Sequence, residues 1–239
     1  MHQTEGEIKE IRDETHDVKT FVLTVVNRLD FVPGQYSMVC MKEKEGFQKE
    51  WRPFTFVNIP EDEQVELTVK RMGKFTTTMH RLRPGDKLIL RGPFGEELNF
   101  DETVIDDVVF VAGGSGITPF MSAIRFAVAR NMQNDIWLFY SNKTIGDIIF
   151  REELDELNQR ENIRVLHALT KEIPEDWNGL EGRLNKAAIA SSLEEPAAKL
   201  WYICGPPPMV HAVREMIGEI GVPDDRIKSE DWQIPGKSE

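Results

Sequence analysis

Two glycine-rich turns, about ninety residues apart, each follow an apolar run and open a helix. The first is Val108-Val109-Phe110-Val111-Ala112-Gly113-Gly114-Ser115-Gly116-Ile117-Thr118-Pro119. Its glycines let the backbone approach a ligand closely. Thr118 and Pro119 fit an N-cap and a first helical position. The unpaired N–H groups at such a helix start suit an anion, and a dinucleotide pyrophosphate in particular. The second turn is Leu200-Trp201-Tyr202-Ile203-Cys204-Gly205-Pro206-Pro207-Pro208-Met209, which sets a thiol and a rigid proline run at the end of another strand. Two such turns on β-α units of one sheet point to a nicotinamide dinucleotide stretched between them.

The first half of the chain carries two further constellations. In Trp51-Arg52-Pro53-Phe54-Thr55, a cation and an aromatic ring alternate along a strand. One can hold an anion while the other offers a flat apolar surface, with the Thr55 hydroxyl beside it. An ordinary barrel strand with an edge proline is the plainer alternative. In Lys70-Arg71-Met72-Gly73-Lys74-Phe75-Thr76-Thr77-Thr78-Met79, a basic strand end turns at glycine and enters a helix through three threonines. That is again an anion site at a helix start, or else a plain N-cap with surface lysines.

The elements that position these residues divide into two patterns. Short alternating or β-branched runs cover 6–12, 19–26, 35–41, 52–58, 65–70 and 87–91, with one helix near 75–82. Val32-Pro33-Gly34-Gln35 and Arg83-Pro84-Gly85-Asp86 are turns, because proline presets φ and glycine accepts φ > 0. Six antiparallel strands and a helix predict a small closed β barrel. From about Asp107, strands (108–112, 136–141, 163–168, 200–204) alternate with helices (119–130, 150–159, 184–191, 208–220). This predicts a parallel α/β sheet covered on both faces. The boundary falls between Pro93 and Glu102, giving domains 1–99 and 100–239.

The bulk properties exclude several classes. The 239 residues carry a net charge of −12, which argues against general nucleic-acid binding and favours a basic or neutral protein partner. No apolar run has the length of a membrane span, and the N-terminus lacks a signal-like pattern, so a cytoplasmic protein is expected. Cys40 and Cys204 are too few for an iron–sulfur cluster, and no spacing suggests a metal site. They could pair, but a cytoplasmic setting disfavours a disulfide.

Taken in order, the four motifs resemble those of the ferredoxin–NADP reductase family of flavoprotein reductases. Arg52-Pro53-Phe54-Thr55 resembles its flavin motif, and Gly73-Lys74-Phe75-Thr76 its phosphate loop. The two glycine turns resemble its nicotinamide-dinucleotide motifs. Arg91-Gly92-Pro93-Phe94-Gly95 resembles the strand that closes the family barrel. The resemblance implies a six-stranded antiparallel Greek-key flavin-binding barrel, then a Rossmann-like parallel NAD(P)-binding domain. It implies FAD in preference to FMN, since the Gly73 loop suits a diphosphate, and NADPH or NADH as co-substrate.

It also implies roles. Arg52 would hold a flavin phosphate, Phe54 would pack on the isoalloxazine, and Thr55 would hydrogen-bond near N5. Phe54 stands where the family often has tyrosine, losing a hydroxyl. Pro53, Val69, Gly73, Lys74, Phe75 and Thr76 complete the flavin-binding set. Gly113, Gly114, Gly116, Ile117 and Thr118 would take the NAD(P)H pyrophosphate. Cys204, Gly205, Pro206 and Met209 would lie by the nicotinamide, with Cys204 a small polarizable wall or simply a buried thiol. Glu230 is the acidic catalytic candidate beside Thr55 and Cys204. Trp232 would gate the flavin face or anchor the tail. Asn142 and Lys143, in Tyr140-Ser141-Asn142-Lys143-Thr144, offer a donor and a cation and tilt towards NADPH. The implied activity is hydride transfer from NAD(P)H to FAD, with electrons passed to a separate ferredoxin or other redox protein. The alternatives are a flavin reductase that uses dissociable flavin and a non-catalytic nucleotide-binding subunit of a redox complex.

Overall fold

The computed structural model describes residues 2–41 and 44–231. The chain forms two compact units: Met1–Thr103 with Thr118–Asn131, and Val104–Ile117 with Met132–Glu239.

The first unit is antiparallel. Its strands are β1 (His2–Thr15), β2 (Val18–Val25), β3 (Tyr36–Cys40), β4 (Trp51–Thr55), β5 (Gln64–Lys70) and β6 (Lys87–Phe94), with helix α1 (Lys74–Met79) after β5. The sheet order is β4-β3-β6-β1-β2-β5. Just past β4, Phe56 bridges Leu67 of β5, and Val57 N–H donates to Glu66 C=O at 3.1 Å, so the ring closes there. The 91–95 segment therefore does not close the barrel: β6 lies inside the sheet, between β3 and β1. Both Pro-Gly turns form as expected. Gln35 N–H reaches Val32 C=O and Asp86 N–H reaches Arg83 C=O, each at 3.0 Å, with Gly34 and Gly85 at φ 98° and 93°. The barrel interior is filled by Ile8, Phe21, Leu23, Val39, Leu67 and Leu90 among others, all fully buried.

Helix α2 (Thr118–Ala129) groups with the barrel because its polar side chains bond there. Ser122 Oγ donates to Asn58 C=O at 2.8 Å, and Arg125 donates to Val57 C=O at 3.1 Å and to Glu66 at 3.3 Å. These bonds satisfy buried carbonyls at the point where the barrel closes.

The second unit is parallel. Strands β7 (Val108–Gly113), β8 (Ile136–Asn142), β9 (Ile163–Leu169), β10 (Leu180–Glu181), β11 (Leu200–Gly205) and β12 (Ile227–Asp231) stand in the order β10-β9-β8-β7-β11-β12. Helices α3 (Arg151–Leu157), α4 (Lys186–Ser192) and α5 (Pro207–Glu219) are its longer helical elements. One face buries Val109, Val111, Phe139, Trp201 and Ile203 against Ile189 of α4 and Val210, Val213 and Ile217 of α5. The continuous apolar runs of β7, β8 and β11 thus reflect strands in the middle of a covered sheet. Strands β10 and β12, absent from the sequence expectation, are its edges. Among the described residues no helix is long and apolar enough to cross a membrane.

Candidate functional site

In the barrel unit, β4 and α1 bring one group of residues together. Arg52 and Phe54 are two apart on β4, and so share a face. Both lie against the buried ring of Phe75. The Arg52 guanidinium carbon is 5.7 Å from its centroid, and the Phe54 ring is 6.2 Å away at 27°. Phe75 stands in the first turn of α1, so the cation, the aromatic surface and the helix start are neighbours. Lys74 Nζ sits 5.6 Å over the Phe47 ring, and that ring meets Phe75 edge-on at 5.7 Å. Phe75 itself is core, only 4% exposed, and acts as the platform under Arg52 and Phe54.

The turn into α1 is held by Thr76. Its hydroxyl oxygen accepts from Met72 N–H at 2.8 Å and Gly73 N–H at 3.1 Å. The following first-turn N–H groups, of Lys74, Phe75 and Thr76, have no intrahelical acceptor, as at any helix start. Gly73 has extended backbone (φ −173°), and an added Cβ would meet nothing within 4 Å. Nothing in the fold itself demands a glycine there. Thr55 ends β4 buried, directly opposite Tyr36 of β3, and Val69 is fully buried in β5. Pro53 pairs with Met38. The guanidinium of Arg52 is already engaged: Nη1 donates to Trp51 C=O at 2.9 Å, and Nη2 donates to the Glu50 carboxylate.

In the parallel unit, the two glycine turns interlock. An alanine Cβ at Gly116 would stand 2.3 Å from the Cys204 carbonyl oxygen. One at Gly113 would stand 2.5 Å from Met209 Sδ and 3.0 Å from Pro206 Cδ, and one at Gly205 3.0 Å from Met209 Cε. Gly116 therefore serves close approach of two backbones, Gly113 makes room for the Met209 and Pro206 side chains, and Gly205 serves both purposes, so the turns after β7 and β11 meet as the sequence expectation required. Residues 114–117 form a 3-10 turn running straight into α2. Thr118 is thus the first residue of the helix rather than its N-cap, because the tighter turn consumes the residues ahead of it. Pro206, Pro207 and Pro208 carry no N–H. The start of α5 therefore has no unbonded first-turn N–H to offer an anion, because Met209 N–H already donates to Pro206 C=O.

Tyr140, which the motifs do not single out, braces the first turn. Its hydroxyl donates to Gly114 C=O at 3.0 Å and accepts from Ile149 N–H at 3.4 Å, while the side chain is fully buried. Gly114 itself has φ 54°. The available signal was a tyrosine on the strand beside the glycine turn. At the end of the same strand, Asn142 is 6% exposed, and its Nδ2 is buried without a hydrogen-bond partner among the described residues. Lys143 beside it is exposed. His167 pairs with Tyr140 in register, ring centroids 5.9 Å apart, with both ring nitrogens buried and unbonded. Burial pushes its pKa below the ordinary histidine value, with smaller opposing effects from Asp155 (upward) and Arg151 (downward).

Cys204 is fully buried, and neither cysteine forms a disulfide. Glu230 of β12 lies directly opposite Cys204 in the parallel register, so the two share a sheet face. Trp232 falls outside the described residues.

The donors fit both groups. A guanidinium, an aromatic face and a helix start suit a flavin bearing phosphate. A glycine turn without side chains, braced from below and flanked by an unpaired buried amide, suits a dinucleotide. The Oxidoreductase FAD-binding domain model matches residues 5–98, and the Oxidoreductase NAD-binding domain model matches residues 110–215. The chain is 30% identical over 231 residues to ferredoxin–NAD(P)(+) reductase CarAd of Metapseudomonas resinovorans, covering 95% of this chain and 68% of that protein. It is 32% identical over 229 residues to NADH-cytochrome b5 reductase 2 of Mycosarcoma maydis, covering 90% and 65%. The solved ferredoxin reductase in carbazole 1,9a-dioxygenase superposes with a TM-score of 0.83 at 27% identity, over 97% of this chain and 70% of that one. The chain spans about two thirds of the length of these two curated relatives, and less of others. With both domain models matched in order on the fold they require, the chain belongs to the ferredoxin–NADP reductase-like family of FAD- and NAD(P)-binding oxidoreductases.

Proposed function

We propose that the chain is an NAD(P)H-dependent flavoprotein reductase that passes electrons to an acceptor on a separate chain. The observation that carries this reading is the meeting of Arg52, Phe54 and the start of α1 over Phe75. Residues 1–99 bind the flavin and residues 100–239 the coenzyme. Arg52, Lys74 and the first-turn N–H groups of α1 neutralise the flavin phosphates, and Gly73 leaves room for their close approach. Phe54 and Pro53 present the flat apolar surface, backed by Phe75 and Val69. Thr55 supplies a hydroxyl at the reacting edge, and Thr76 holds the loop.

The turn Gly113–Thr118, with Ile117 beneath it, takes the coenzyme pyrophosphate. Asn142 offers its unbonded amide to the ribose, and Lys143 its charge to a 2′-phosphate, which favours NADPH. Cys204, Gly205, Pro206 and Met209 wall the nicotinamide and keep water out, with Glu230 and Trp232 at the same end of the chain. When bound, the flavin supplies the hydride acceptor; the protein's part is alignment and exclusion of solvent. A ferredoxin or similar redox protein is the acceptor class, and relatives named as reductases of such carriers support it. The setting this reading assigns is cytoplasmic, where neither Cys40 nor Cys204 would be driven into a disulfide.

One observation favours a second reading, a flavin reductase with dissociable flavin: the Arg52 guanidinium is already held by Glu50. Purification separates the two. A yellow protein with one FAD per chain, reducing an added one-electron carrier, supports the first reading. A colourless protein that turns over added FMN or riboflavin with NAD(P)H replaces it with the second.

A further inference from the structure

We propose that Glu50 sets how tightly this chain holds its flavin, by competing with the flavin phosphate for Arg52. The inference rests on the flavin reading above.

A carboxylate and a phosphate are alike to a guanidinium: both present paired anionic oxygens to its planar fork. Arg52 spends Nη2 on the Glu50 carboxylate and Nη1 on its own neighbour's carbonyl, Trp51 C=O at 2.9 Å. A phosphate arriving at Arg52 must therefore displace Glu50 or accept a like charge beside it.

The surroundings make displacement feasible. The pair is about one-third exposed on each side, 34% for Arg52 and 32% for Glu50, so the contact is screened and weak. The two residues line an open cleft of about 740 Å³, with Gly46, Gln48, Lys49 and Trp51 as its other walls. The carboxylate has room to leave. The arginine does not follow it, because its guanidinium rests over the buried Phe75 ring. Glu50 thus occupies the phosphate's place on a cation that other contacts keep in position. It lowers affinity for phosphate-bearing flavins and leaves the isoalloxazine surface at Phe54 untouched.

The test is a fluorescence titration of the full chain, freed of flavin, with FAD, FMN and riboflavin at low ionic strength. Wild type, Glu50→Gln, Arg52→Ala and the double variant are compared. Removing one exposed charge contact and its repulsion of phosphate should tighten FAD and FMN about two- to fivefold in Glu50→Gln. Riboflavin, which has no phosphate, should bind wild type and Glu50→Gln alike. The gain should vanish in the Arg52→Ala background and shrink as salt is added. Unchanged or weaker FAD and FMN binding in Glu50→Gln overturns the proposal, as does an equal gain for riboflavin. Binding of no flavin by wild type overturns the proposal and the flavin reading together. Wild-type flavin binding without a Glu50→Gln gain overturns the proposal alone.

Discussion

Replacing Gly116 by alanine puts a methyl group into space already held by the second glycine turn. The new carbon would stand 2.3 Å from the Cys204 carbonyl oxygen, 2.6 Å from its carbon and 2.8 Å from Gly205 N. A carbon and an oxygen approach to about 3.3 Å without repulsion, so the two turns must separate by about 1 Å. Every obstructing atom is backbone at the end of β11, which is paired on both sides by β7 and β12. No rotamer change relieves the clash. Overpacking of this kind costs about 1–3 kcal/mol, which lowers Tm by about 2–12 °C in a chain of this size. The larger effect falls on the coenzyme, since a shift of about 1 Å in a positioning loop can cost about 100-fold in rate. The assay is anaerobic stopped-flow reduction of the bound flavin over a range of NADPH concentrations. Gly114→Ala is the control. There a Cβ meets nothing within 4 Å, but φ is 54°, so only the left-handed backbone is penalised, by about 1–2 kcal/mol. The order of damage should be Gly116→Ala, then Gly114→Ala, then Gly114→Asn, which tolerates that backbone. Wild-type affinity and reduction rate in Gly116→Ala would show that the two turns part without cost and do not position the coenzyme.

Further outcomes follow from other contacts. Tyr140→Phe removes the hydroxyl under the half-buried Gly114 C=O and leaves the buried Ile149 N–H short of its acceptor, a loss of about 1–3 kcal/mol. Coenzyme affinity should weaken about tenfold or more by titration while flavin content stays at the wild-type value. Lys143→Glu should reverse the preference between NADPH and NADH, measured as the ratio of their kcat/KM values, and an unaltered ratio would remove Lys143 from coenzyme selection. Acid should destabilise both units. His80, whose Nε2 meets Val69 C=O at 2.8 Å, and His167 both have pKa values lowered by burial. Each binds its proton less readily folded than unfolded, so stability is lost as pH falls below the unfolded value of about 6.5. Urea midpoints from pH 7.5 to 5.5 should show this fall, and His167→Phe should flatten it without losing the ring against Tyr140.

How much of this was legible in the sequence depends on the distance over which each feature acts. The turns at Gly34 and Gly85 were readable because proline and glycine fix them locally. Strands β7, β8, β9 and β11 were readable as apolar runs. Strand β12, Ile227-Lys228-Ser229-Glu230-Asp231, is a polar edge without that signature, and β10 is two residues long, too short for any period. In the site, the glycines were visible as glycines, but their reason was not: Cys204, Pro206 and Met209 fill the space a Cβ would need only once β11 lies beside β7. The Tyr140 brace showed only as a tyrosine on the strand beside the turn, and the Glu50 contact not at all, for the same cause. One depends on the register of neighbouring strands, the other on the direction a side chain takes at a loop end.

Anaerobic addition of NADPH and of NADH to the purified, flavin-loaded chain tests hydride delivery most directly. The flavin absorbance near its long-wavelength maximum should bleach with one equivalent of coenzyme, and more slowly when the coenzyme carries deuterium at C4. Bound flavin that neither coenzyme bleaches would contradict the assignment of a reductase and leave a nucleotide-binding subunit in its place.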